Sequence, residues 1–254
     1  MKHTSLFMTP SLPSMTSSAK KNSHFDKLSW REQSVKLTFS RRKTMALHVK
    51  PELIEVRAPY RTPIKLAQTF VNEHDHWIRQ KLFDIEQRQL QKPDLLNARH
   101  IPFMGFNVAL HVEVADKNQW QLVEQGLHCQ LVNKNQYLLT TLADFYKQQA
   151  QFWLDKKTRE LVIKFNLQHR YTGLKLRKTK TKWGHCSSEG VIQYNWLIMM
   201  APEPVIDYLV AHEVAHLVHM NHSAQFWQLV EEFNPTYKAQ RNWLNENGHR
   251  LTIE

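Results

Sequence analysis

The residues best suited to chemistry lie in residues 205–227, VIDYLVAHEVAHLVHMNHSAQFW. His212 and His216 stand four apart in an apolar run that predicts a helix, so their rings should project from one face about 6 Å apart. Two imidazoles at that spacing can reach one metal ion. Glu213 follows the first histidine, where a carboxylate can take a proton from metal-bound water without being a ligand, as in the H-E-x-x-H arrangement.

A third protein ligand is expected, because catalytic zinc usually keeps three and leaves the fourth position to water. His219 would lie roughly 10 Å further along a continued helix than His212, too far to share its ion. His222 is the better candidate, because Asn221 tolerates the left-handed conformation that ends helices and would let the chain reverse. Ser223 is then expected to cap the following helix.

Two alternatives stay open at this point. The third ligand can instead be a carboxylate on a later helix, Glu231 or Glu232, or water can complete a two-histidine site. The motif can also be a core helix whose histidines are satisfied internally, since a chain with 15 histidines produces it by chance in roughly a few per cent of cases. The apolar surroundings favour the metal site, because burying these polar groups is costly unless something satisfies them.

Bulk properties set the broad class. The 254 residues carry a formal net charge of +11, which suggests an acidic partner and makes nucleic acid one candidate. Cys129 and Cys186 match no metal or disulfide pattern, so we expect two buried thiols in a reducing cytoplasm. No apolar run is long enough for a signal peptide or a membrane span. Oligomeric state is not predicted.

Two stretches before the metal helix bear on substrate binding. Residues 174–182, LKLRKTKTK, alternate basic residues with apolar residues or threonine, as in a strand with one cationic face. That face is either simply solvated or a basic wall that attracts an acidic peptide or a phosphate backbone. Residues 191–198, VIQYNWLI, predict a strand whose backbone could pair with an extended substrate, with Tyr194 and Asn195 nearby. The alternative is that both are ordinary sheet residues.

Further segments carry a family resemblance. They are KTKWGHCSSEGVIQYNWLIMMAP, HEVAHLVHMNHSAQFW and WLNENG, with RRKTMALHVKPELIEVRAP, FVNEHDHWI and IPFMGFNVAL upstream. Together they resemble the YgjP-like family of zinc-dependent metallopeptidases, from about residue 37 to the end of the chain. The resemblance implies His212, His216 and His222 as ligands of one zinc ion and Glu213 as the general base. The family is related to the SprT-like proteases, which share the spacing of the third histidine.

The predicted fold is α+β, with an N-terminal β-rich region and a long helix packed on a compact zincin-like catalytic domain. We predict that residues 1–36 form a disordered, basic, Ser/Thr-rich tail. We predict that residues 37–140 form the β-rich region. Short strands are expected from residue 35 onwards, followed by a long helix capped by Thr62. Residues 141–254 predict the catalytic domain, which begins with a second long helix capped by Thr141.

The sequence therefore predicts a zinc metallopeptidase that hydrolyses peptide bonds with metal-activated water and Glu213 as the base. Its expected partners are a protein or peptide substrate. The main alternative is a nucleic-acid-associated zinc protein of SprT-like kind, with a structural or DNA-dependent role. A third hypothesis is an interaction module that keeps the shape without the activity.

Overall fold

The computed structural model describes residues 28–253, and residue contacts divide this part of the chain into two units, residues 28–91 and residues 92–253. The division falls earlier than the predicted boundary between residues 140 and 141. Residues 1–27, most of the predicted tail, lie outside the described residues. Leu28 and Trp30 are buried, so ordered structure begins before residue 37.

The first unit contains a four-stranded sheet and two helices. Its elements are β1 (Leu28–Trp30), β2 (Gln33–Ser40), β3 (Ala46–Lys50), β4 (Leu53–Pro59), α1 (Ile64–Glu73) and α2 (Asp75–Leu90). The strand order is β1-β2-β4-β3, with β2 and β4 parallel and the other two pairs antiparallel. Ile54, Val56 and Ala58 alternate along β4 and are buried, so the sheet has an apolar face. The short strands predicted from residue 35 onwards are confirmed.

The single long helix predicted for this unit is interrupted at His74, so that prediction is wrong. Nδ1 of His74 lies 2.8 Å from the carbonyl oxygen of Phe70, the acceptor that the backbone N–H of His74 would use in a continuous helix. That N–H bonds to the carbonyl of Val71 instead. Thr62 does not cap α1, because its hydroxyl donates to the carbonyl of Pro59.

The second unit contains two sheets. Its strands are β5 (His100–Phe103), β6 (Phe106–Val114), β7 (Gln119–Val123), β8 (Gly126–Leu131), β9 (Gly173–Arg177), β10 (Gly184–Cys186) and β11 (Val191–Asn195). The larger sheet has the order β5-β6-β8-β7, and the smaller one the order β10-β11-β9. In the smaller sheet β11 is central, antiparallel to β10 and parallel to β9.

Four helices and three short 3-10 helices complete the second unit. They are α3 (Lys134–Lys164), Gln168–Arg170, Trp196–Met200, α4 (Glu203–Ala215), α5 (Ala224–Phe233), α6 (Tyr237–Asn247) and Gly248–Arg250. Thr141 does not cap α3 as predicted, because the helix begins at Lys134, after Asn133, whose Oδ1 accepts from the N–H of Gln136. The strand predicted for residues 191–198 ends at Asn195, whose side chain caps the next 3-10 helix by accepting from the N–H of Leu197.

Helix α3 fixes the first turns of α4. Nζ of Lys157 lies 2.6 Å from Oε1 of Glu203 and 2.7 Å from Oδ1 of Asp207. One residue further along α3, the buried hydroxyls of Thr158 and Tyr194 are 3.0 Å apart. The apolar residues of α4 enter the core of the unit: Val205, Ile206, Leu209, Val210 and Val214. Each such side chain contributes about 1.5–3 kcal/mol when fully buried, so α4 is anchored mainly by its own apolar residues.

Residues 28–253 thus contain six α-helices and three small sheets with parallel and antiparallel pairs, which confirms the predicted mixture of α and β structure. Cys129 and Cys186 are both buried free thiols, as expected. Within these residues no helix has both the length and the apolar character that crossing a membrane requires.

Candidate metal centre

Helix α4 presents two histidine rings at its C-terminal end. His212 lies in the last turn, and His216 follows Ala215 as the C-cap residue with φ −67° and ψ −19°. Because His216 keeps near-helical angles, the i, i+4 relation survives although the helix ends at Ala215, and the ring centroids are 5.0 Å apart. The predicted placement of both rings on one side of the helix is therefore confirmed.

A tight turn then brings His222 back beside these rings. The N–H groups of Leu217 and Val218 bond to the carbonyls three residues earlier, which tightens the end of α4 in 3-10 fashion. The prediction of a left-handed Asn221 is wrong. In residues 28–253, positive φ among non-glycine residues is confined to Arg31, Arg61, Met104 and Asn166. The cap of the next helix is as predicted, since Oγ of Ser223 accepts from the N–H of Phe226.

Three imidazoles converge at this point. The ring centroid of His222 lies 5.0 Å from that of His212 and 4.8 Å from that of His216. One ligand nitrogen from each ring lies within 4.8 Å of the other two. The Nε2 atoms of His212 and His222 are 3.1 Å apart. In residues 28–253 this is the only group of three or more potential metal-ligating residues. Glu231 and Glu232, the carboxylate alternatives, are exposed and outside the group.

His212 and His216 have the protonation that metal binding requires. Burial, reinforced by the neighbouring His216 and His222, lowers the pKa of His212 to about 3, and burial lowers the pKa of His216. Nδ1 of His216 lies 2.9 Å from the carbonyl oxygen of His219, which fixes the proton on Nδ1 and leaves the lone pair on Nε2. A set of three imidazole nitrogens suits zinc, so the residues present fit this metal.

Glu213 follows His212 on helix α4 and is 2% exposed. Its Oε2 is buried and has no hydrogen-bond partner within residues 28–253. Burial raises the pKa of this carboxyl to about 8, against a smaller opposite effect of Lys182. A buried, unpaired carboxyl oxygen is costly to maintain, and perturbed groups of this kind concentrate at functional sites.

Gly184 determines where the carboxyl group of Glu213 can lie. A Cβ atom built on Gly184 would lie 2.2 Å from Oε1 of Glu213 and 2.5 Å from its Cδ, closer than atoms can approach. No role was predicted from the sequence for Gly184, which is the first residue of β10. The available signal was a glycine next to strand residues, which often marks a close approach of the backbone.

For the zinc peptidase that the sequence predicts, we expect Gly184→Ala to reduce peptide hydrolysis by about 10²-fold and to retain zinc binding, because the added methyl group displaces the buried Glu213 by the order of 1 Å. Initial rates and zinc content of the purified variant measure this. Ser188→Ala, in the exposed turn after the same strand, is the matched control and should behave like the parent. A Gly184→Ala protein with parental rates would show that the position of the carboxyl group is unimportant.

The backbone edge next to the site belongs to β10 and not to β11. Because β11 is paired on both sides, it cannot accept a further strand, and the prediction that residues 191–198 pair with a substrate is wrong. Tyr194 is fully buried and Asn195 is 4% exposed. The Tyr194 hydroxyl contacts Thr158, and the Asn195 side chain donates to the carbonyl of Thr179. These contacts fit a role in the sheet and not direct contact with a substrate.

Aromatic residues of α5 support the exposed third histidine. The ring of Trp227 stacks on that of His222 at a centroid distance of 5.6 Å and an interplanar angle of 22°. On α6, Tyr237 stacks on Trp227 at 5.5 Å, and the guanidinium carbon of Arg241 lies 4.4 Å from the centroid of Trp227. Helices α5 and α6 therefore limit the positions that the His222 ring can take.

The fold and this centre define a protein of mixed α and β structure with a three-histidine candidate metal site. The sequence model of the YgjP-like metallopeptidase domain family matches residues 43–247, which is most of the chain. The chain therefore belongs to the YgjP-like metallopeptidase family, and the resemblance found in the sequence is confirmed. No curated protein gives a significant match.

Proposed function

We propose that the protein is a zinc-dependent metallopeptidase in which His212, His216 and His222 hold one zinc ion and Glu213 is the general base. The observation that carries the proposal is the convergence of three imidazoles, with the buried and unpaired carboxyl oxygen of Glu213 on the helix that carries His212. Membership of a metallopeptidase family supports peptides as the substrates.

The roles of the residues follow from their environments. When bound, zinc supplies Lewis acidity that makes water more acidic and polarises a peptide carbonyl. Glu213 accepts a proton from the attacking water at its carboxylate and later donates it to the nitrogen of the leaving amine. Burial favours the protonated form of the Glu213 carboxyl group, and the positive charge of Lys182 favours its carboxylate. The two effects together suit a group that must both take and return a proton.

Strand β10 supports binding of an extended substrate. The N–H of Asn195 donates to the carbonyl of Trp183, and residues alternate along an antiparallel pair. The backbone groups of Gly184 and Cys186 therefore point away from β11, towards the edge that carries no strand within residues 28–253. A peptide that pairs with this edge would pass next to Glu213, because Gly184 contacts its carboxyl group.

Metal content and proteolysis together test the proposal. We expect the purified protein to bind one equivalent of zinc, to cleave an unfolded protein such as casein, to lose activity on chelation and to regain it when zinc is restored. Mass spectrometry of the products measures cleavage. The alternative function of a nucleic-acid-associated zinc protein, favoured only by the net charge of +11, predicts zinc binding and salt-sensitive DNA binding without cleavage.

A further inference from the structure

A cationic groove lies between α3 and β9 in the second unit, with a volume of about 530 Å³. It is lined by Lys147, Gln148, Gln151, Leu176, Arg177, Lys178 and Trp196. Three of these residues are cations, two carry neutral amides, and none is acidic. Such a combination attracts an anionic group and offers it amide donors.

The loop after β9 continues this positive charge to the candidate metal centre. Strand β9 ends at Arg177, and the next residues pass beside Asn195, whose Nδ2 donates to the carbonyl of Thr179 at 3.0 Å. Lys180 and Lys182 follow, both exposed. Lys182 stands two residues before Gly184, the residue that contacts the carboxyl group of Glu213. Lys147, Arg177, Lys178, Lys180 and Lys182 are called the basic track below.

We propose that the basic track binds an acidic segment of the peptide substrate and so selects substrates in which a run of Asp or Glu lies to one side of the cleaved bond. The proposal rests on the proposed peptidase function. Five basic residues in one groove and loop give this part of the surface a positive charge that attracts a polyanion. The groove lies at β9 and the proposed substrate edge at β10, which are the two outer strands of one three-stranded sheet, and residues 178–183 connect them.

The surface favours an acidic peptide over a single-stranded nucleic acid. Nucleic-acid channels of this kind combine cations with exposed aromatic rings on which bases stack. The aromatic residue of the groove, Trp196, is 4% exposed, and Nζ of Lys147 lies 5.6 Å from its ring centroid. The buried ring of Trp196 leaves little surface on which a base could stack, whereas the basic side chains around the groove suit carboxylates.

A binding experiment separates this inference from the proposed function. The zinc-loaded Glu213→Gln protein is titrated into a fluorescent peptide with a run of glutamates, and into the same peptide with glutamines in their place. We expect binding of the acidic peptide to be at least ~10-fold tighter at low salt, with the difference shrinking as salt is raised. Equal affinity for the two peptides would overturn the proposal.

Charge reversal locates the site. We expect a triple variant to have an affinity for the acidic peptide that is lower by at least ~10-fold, and an unchanged affinity for the glutamine peptide. Its substitutions are Lys178→Glu, Lys180→Glu and Lys182→Glu. The matched control reverses Lys117, Lys134 and Lys164, of which the last two lie at the ends of α3, roughly 20 Å or more along the helix from Lys147. An equal loss in both triple variants would contradict a localised site.

Two further outcomes are informative. Tighter binding of a single-stranded DNA of the same charge than of the acidic peptide would overturn the choice of ligand. If the protein binds the acidic peptide selectively but cleaves no peptide, the proposed role of the basic track is supported and the proposed peptidase function is rejected. Because binding is measured without turnover, failure of one proposal does not decide the other.

Discussion

Replacing Glu213 with glutamine is expected to lower peptide hydrolysis by about 10²–10⁴-fold while zinc remains bound in a 1:1 ratio. The amide keeps the size of the side chain, so the packing against Gly184 should be preserved. It cannot accept the proton from water, and this removes the general base. Single-turnover rates on a defined peptide, together with metal content, measure the two effects separately.

The matched control is Glu232→Gln, the same chemical change on an exposed side chain of α5. It should leave both rate and zinc content at parental values, and it also tests the carboxylate that the sequence offered as an alternative ligand. If Glu213→Gln hydrolyses peptides as fast as the parent, Glu213 is not the base. If it loses zinc as well, the carboxyl group has a role in the metal site itself.

The second large effect is expected on metal affinity. His222→Ala should weaken zinc binding by at least ~100-fold, because substitution of even the outer partners of a zinc site costs 10–100-fold and this change removes a proposed ligand. His222 is exposed in the turn before α5, so its loss should affect the core little. Competition with a chelator of known affinity gives the dissociation constant, and thermal unfolding of the metal-free protein checks the fold.

His219→Ala is the control for this experiment. Its ring is outside the group of three converging histidines, whereas its backbone carbonyl, which accepts from His216, is retained in alanine. Zinc affinity should therefore stay near the parental value. The assignment of the third ligand would fail if His222→Ala bound zinc as tightly as the parent, or if His219→Ala showed the larger loss.

The contrast between residues 212–216 and residue 222 shows how far a sequence can predict this centre. The first two histidines are related by helix periodicity, which depends only on local hydrogen bonds, and their convergence could be predicted. The return of His222 was predicted for the wrong reason. The helix ends at Ala215 through tightened hydrogen bonds, and packing against Trp227 determines where the ring lies.

Local sequence also misplaced several boundaries, each for an identifiable reason. The side chain of His74 takes the carbonyl that would continue its helix, and Asn133 caps α3 ahead of the Thr141 that was predicted to do so. Asn195 ends a strand by capping the next turn. In all three cases a polar side chain competes for a backbone group, and hydrophobic periodicity carries no information about such competition.

The sequence by itself determined the mixed fold and the family, and it pointed to the histidines and the glutamate of the candidate site. Only the tertiary structure decided that β10 forms the edge beside the site, that Gly184 fits against Glu213, and that Tyr194 is buried. The reason is physical. Residue types and helical spacing are properties of neighbours along the chain. Strand order, burial and close approach depend on contacts between residues further apart, 36 positions for Thr158 and Tyr194.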